Sequence, residues 1–211
     1  MDLIFLGLVA VFLIFRLFSV IGQDLGGNTD AFSEMSRDAK KQPQAKEEPK
    51  KEEVIDIEPV KIKKTGNKAI NQLQKAMPEL SIDNFINGAS HCFKNTVENF
   101  ASGNKQALEE LLTSSTYKVF AKEIDARNKK GITAKDEVVA FIDIKVVDVK
   151  TTAQKIEVEV EFTTDQINAL FDSENRVIEG HPGDVVRITD NWVFSRDKKS
   201  TEPNWYVKET S

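Results

Sequence analysis

The sequence predicts an α+β domain, with about three helices packed on one face of a curved antiparallel sheet of about four strands. A single membrane-spanning helix precedes it. Three observations carry this. Apolar residues recur every three to four positions from residue 82 to about 124, and then alternate at a period of two from about 156 onward. Helices first and hairpin-linked strands after are the order of an α+β fold. Residues 3–21 form one apolar run, interrupted only by Arg16 and Ser19.

That run is the first element. Nineteen residues at about 1.5 Å rise span roughly 28 Å, close to the hydrocarbon thickness of a bilayer. Leu3, Phe5, Leu8, Phe12, Phe15 and Ile21 supply its greasy surface, and Arg16 lies near enough to its end to reach the headgroups. A cleaved signal peptide is the competing reading, but it wants a basic start and a small-x-small cleavage site. Asp2 stands before the run, and no such site follows. Arg37, Lys40 and Lys41 flank the C-terminal side, so the positive-inside rule places the body of the protein in the cytoplasm.

Residues 22–65 read as a charged linker, typified by KKQPQAKEEPKKEE, with too little apolar surface to offset ordering. Lys61, Lys63, Lys64, Lys68 and Lys75 then occur with no acid among them, while Ile70, Leu73 and Met77 recur at helical spacing. A basic amphipathic helix of this kind lies on an anionic membrane, contacts a partner, or packs on the domain with its charges in water. Pro78 ends it. The domain is therefore expected over 66–211, with its core over 79–211.

Ser81 is the expected N-cap of the next helix, where Ile82, Phe85, Ile86, Ala89, Phe93, Thr96, Val97 and Phe100 share a face. Gly103 is its expected left-handed C′ residue. A short helix carries Ala107, Leu108, Leu111 and Leu112. Ser114 or Ser115 starts a third, with Tyr117, Phe120 and Ile124 inward and Gly131 at its end. Residues 138–149 form the first strand, bulged where the alternation changes phase. Ile156, Val158, Val160 and Phe162 alternate with Glu157, Glu159 and Glu161 in the second. A turn at 172–175 leads to a return at Val177 and Ile178. Strands at 185–196 and 205–208 close the sheet.

Composition narrows the function. Net charge is −5, with +1 over residues 1–78 and −6 over 79–211. That excludes nucleic-acid binding through a whole basic surface. One cysteine, Cys92, excludes an internal disulfide. With two histidines ninety residues apart, no metal site and no cofactor are expected. No phosphate loop, dinucleotide fingerprint or nucleophile elbow occurs.

The segments FINGASHCFKNTVENFASGNKQALEELLTSSTYKVF (85–120) and RITDNWVFSRDKKSTEPNWYVKE (187–209) resemble the Tim44-like domain. The most specific residues are Asp190, Trp192, Phe194 and Arg196, with Pro203 and Trp205. The likeness covers about 66–211 and the layout of anchor and linker, in the manner of bacterial, alphaproteobacterial-type members. It implies an NTF2-like cone and a non-enzymatic scaffold at the bacterial inner membrane, supporting protein translocation or membrane-protein biogenesis. Expected partners are anionic lipid such as cardiolipin and a protein of the translocation or chaperone machinery. A related branch tethers ribosomes, which stays a second family-level reading.

Cones of this kind also host isomerases and dehydratases, so an enzyme is the competing reading. Asp190 shares strand parity with Trp192 and Phe194, and Tyr117 could serve as an oxyanion donor. The structural reading pairs Asp190 with Arg187, Arg196 or Arg176, or with backbone at a bulge. Phe85, Phe93, Phe120, Asp190, Trp192 and Phe194 either fill the core or line an apolar pocket suited to lipid tails or a hydrophobic peptide. Glu157, Glu159 and Glu161 are either a solvated stripe or a docking face for a basic partner.

Overall fold

The computed structural model describes residues 68–211. The expected membrane helix, the linker and Lys61, Lys63 and Lys64 lie outside them. No helix among the described residues is long and apolar enough to cross a membrane.

Four helices come first: α1 (Lys68–Ala76), α2 (Ile82–Ser102), α3 (Lys105–Leu111) and α4 (Ser114–Lys129). Five strands follow: β1 (Thr133–Thr151), β2 (Lys155–Phe171), β3 (Val177–Gly180), β4 (Val186–Asp197) and β5 (Tyr206–Thr210). The sheet is antiparallel in the order β1-β2-β4-β5, with β3 paired to the far end of β2. The expectation of three helices and four strands is thus one short in each. Residues 68–76 of the basic amphipathic segment form an integral fourth helix, and the short return after the 172–175 turn is a strand of its own.

Local chemistry sets these boundaries. The Ser81 hydroxyl accepts from the Asn84 amide at 3.3 Å, which starts α2. Gly103, at φ 75°, ends it in the left-handed conformation. α4 starts at Ser114, as expected, with Thr113 as its N-cap. Tertiary contact decides that register. The Thr113 amide donates to the Val207 carbonyl at 2.9 Å, and the Thr116 hydroxyl to the Lys208 carbonyl at 2.6 Å. Arg127, in the last turn of α4, donates to the carbonyls of Phe100 and Ala101 at 2.9 and 2.7 Å. It thereby satisfies orphan acceptors at the C-terminus of α2.

The core lies between the helices and the inner face of the sheet. Ala69, Ile70 and Leu73 of α1 are buried there, and α1 and α2 both pack on β1. Phe93 is fully buried, with ring centroids 4.5 Å from Trp192, 4.6 Å from Phe162 and 5.8 Å from Phe141. Phe85 meets Trp205 at 4.9 Å, and Phe100 meets Phe120 at 4.9 Å.

Gly180 is the tightest backbone position. Its φ is +68°, and a Cβ there would sit 2.1 Å from the Asn168 carbonyl oxygen. Gly180→Ala is expected to push β3 off β2 and cost about 1–3 kcal/mol. Thermal unfolding of the variant, with hydrogen exchange at Leu170, checks this. An unchanged melting temperature would contradict it.

Candidate functional site

The six side chains expected at an apolar pocket come from α2, α4 and β4 and meet inside the domain. Phe85, Phe93, Phe120, Asp190, Trp192 and Phe194 are all buried. Edge-to-face contacts, such as Phe85 on Phe194 at 6.2 Å, and tilted ones, such as Phe93 on Trp192 at 4.5 Å, interlock four of these rings with Phe162. A pocket at this point would require the rings to separate. A cleft of about 150 Å³ lies elsewhere, between the first turn of α4 and β4–β5, and is lined by Thr116, Asn191, Lys208 and Thr210 among others. It is well below the volume of a typical small-molecule site.

Asp190 faces inward beside a polar pair that the alternation of β2 brings to the same face. β2 does not stop at Phe162. Its inward positions continue with Thr164 and Gln166, both buried. The Gln166 amide donates to the Thr164 hydroxyl at 2.7 Å and to an Asp190 carboxylate oxygen at 3.3 Å. The arginine partners expected for Asp190 are engaged elsewhere. Arg187 forks onto Asp165 at 2.9 and 3.1 Å, Arg176 holds Asp172, and Arg196 reaches the Ser200 carbonyl at 3.5 Å. Parity explains the first of these. Arg187 and Asp190 are an odd number of residues apart, so they leave β4 on opposite faces. Thr164 and Gln166 escaped the sequence reading because they are polar. The signal was present, since they continue the inward parity of Phe162.

The outer face is an ion-paired ladder. Lys145 bridges Glu161 at 2.7 Å and Asp143 at 3.2 Å, and Lys208 bridges Glu157 and Glu209 at 3.0 Å each. Hydrogen bonds from Arg187 hold the Asp165 carboxyl below its ordinary range. Two of the three glutamates in the acidic stripe therefore already have cations, which weakens the stripe as a docking face for a basic partner.

The basic helix is split in its roles. Lys68 and Lys75 are exposed on α1, while its apolar face is spent on the core. In this packing α1 offers a membrane or partner its charges only. Lys68→Ala with Lys75→Ala is expected to lower binding to anionic vesicles and to leave thermal stability nearly unchanged. Equal binding to anionic and neutral vesicles by the parent chain would contradict the electrostatic part.

His91 and His181 are exposed. Cys92 is buried, and that burial pushes its thiol up to about 11, with Thr96 acting slightly the other way. Its unfolded counterpart ionises near 9.0. The stability this contributes is full below about 9 and is lost as pH rises from there through about 11. At pH 8 a thiol reagent should modify Cys92 only as fast as the domain opens. Immediate stoichiometric labelling of the folded chain would contradict the placement.

Residues 66–211 match the family model described as the Tim44-like domain. Among solved structures, the chain is similar to the intermembrane space region of the chloroplast protein ARC6, with a TM-score of 0.42 at 16% identity. The match covers 64% of this chain and 97% of that one. No curated protein matches.

Proposed function

The chain belongs to the Tim44-like domain family, and from that membership we propose that it is a membrane-anchored scaffold that presents its α+β domain to a protein partner at a bacterial inner membrane. Residues 3–21 hold it in the bilayer, residues 22–65 give reach, and the domain stands on the cytoplasmic side. The role is non-catalytic support of protein translocation or membrane-protein biogenesis, with ribosome tethering as the alternative within the family. Anchoring confines the domain to the membrane surface and raises its effective concentration for any partner there. Lys61, Lys63, Lys64, Lys68 and Lys75 add affinity for anionic lipid such as cardiolipin, on the order of 1 kcal/mol per well-placed charge.

The observation that supports a binding module over an enzyme is the ring packing around Phe93, which fills the interior where the enzyme reading needs an open cavity. The enzyme reading rests on Asp190, buried beside Gln166. Asp190→Asn separates the two, since it keeps the shape and removes a base. A scaffold keeps its partner crosslinks in native membranes with this variant. Crosslinking followed by mass spectrometry should recover translocation, chaperone or ribosomal proteins from the parent and the variant alike. Turnover of a small carbonyl or hydroxyl compound by the parent, lost in the variant, would replace the scaffold with the enzyme.

A further inference from the structure

Among the described residues, the two outer edges of the sheet differ in what packs against them. At β5 the chain itself covers the edge, because Leu112 bridges to Val207 and the Thr113 amide bonds its carbonyl. At the other side stands β1, nineteen residues long. Its pairing with β2 slips three times, between Val138 and Ala140, Phe141 and Asp143, and Val146 and Asp148. The three extra residues are Val139, Ile142 and Val147, and their side chains are 47%, 41% and 47% exposed. Each bulge thus turns one large apolar side chain outward. From Val139 to Val147 the row spans about 26 Å.

We propose that residues 54–62, VIDIEPVKI, dock along this row of β1 in the same chain. Three facts point to that occupant. Five of its nine residues are large and aliphatic, Val54, Ile55, Ile57, Val60 and Ile62, between strongly charged flanks. In extended form nine residues span about 30 Å, which matches the row. The described domain begins at Lys68 in α1, and α1 packs on β1. Only residues 63–67 separate the segment from that helix, so its end is held within about 22 Å of α1. Pro59 suits an outermost position, because it cannot donate a backbone hydrogen bond to a further strand. The docked segment would hide the three apolar side chains and shorten the spacer from residues 22–65 to 22–53. The contact is internal to the chain and does not depend on the membrane reading.

A photocrosslinking amino acid placed in the full chain tests it, as Ile142→p-benzoylphenylalanine in the purified full-length protein. The expected product is an intrachain link between the peptide containing residue 142 and one within residues 54–62. Adding Ile57→Asp with Val60→Asp should reduce that product about tenfold or more, while the emission of the buried Trp192 stays unchanged. The same probe at Val139 guards against a local disturbance by the label. Links to a second copy, to lipid or to another protein, or no link within 54–62 at either position, would overturn the proposal.

Discussion

Phe93→Ala is expected to cost about 3–5 kcal/mol of folding stability. Phe93 is fully buried at mid-length of α2 and touches Phe141, Phe162 and Trp192 at once. Its ring is where α2, β1, β2 and β4 converge. Removing it leaves a hole bounded by rigid rings on a paired sheet, which cannot close by a small side-chain shift. Equilibrium urea unfolding followed by tryptophan emission reads the loss directly. Phe93→Leu, which keeps most of the volume, should recover more than half of it. A cost below about 1 kcal/mol for Phe93→Ala would mean that the interior already tolerates a cavity of that size. The apolar-pocket reading would then return.

The second large effect is expected at Arg127. Its guanidinium lies 5.4 Å above the Phe100 ring and donates to two carbonyls at the end of α2. Burial lowers its pKa from the usual arginine range, and Asp136 acts against that shift. Arg127→Ala strips both carbonyls of their donor and removes the stem that packs beneath α2. The expected cost is about 2–4 kcal/mol. Arg127→Lys should recover only part, because both bonds come from Nη2 at the tip of a planar group that also stacks over Phe100, and an ammonium on a shorter stem reproduces neither the reach nor the stacking. Full rescue by lysine would show that charge alone is used there.

A sequence discloses local signals and conceals distant partners. α2 was legible from end to end because its signals are local. Ser81 caps it, Gly103 closes it, and apolar residues repeat between them. Arg127 was illegible, since nothing near it in sequence says that its partners lie on a helix some twenty-six residues earlier. The strands show the same division. Ile156 to Phe162 was readable as strict alternation. The continuation to Phe171 was not, because Thr164 and Gln166 occupy inward positions with polar side chains. The phase change in residues 138–149 disclosed a bulge. Its repetition three times emerges only from the pairing with β2.

The candidate site divides in the same way. Parity and periodicity placed Phe85, Phe93, Trp192 and Phe194 on inward faces, and all four are buried, while Thr164 and Gln166 beside Asp190 were missed. Whether they line a space or fill it depends on volumes, which a pattern of apolar letters does not encode. Asp190 was expected to pair with an arginine near it in sequence or to accept backbone bonds at a bulge. Strand geometry gave it an amide from the neighbouring strand, Gln166. The α1 lysines were correctly placed on a helix, but the same helix uses its apolar face to complete the core.

Extraction of native membranes at alkaline pH tests the central claim most directly. The account predicts that the full-length chain stays in the lipid pellet and that a chain lacking residues 1–21 passes to the supernatant. Release of the full-length chain into the supernatant would contradict it.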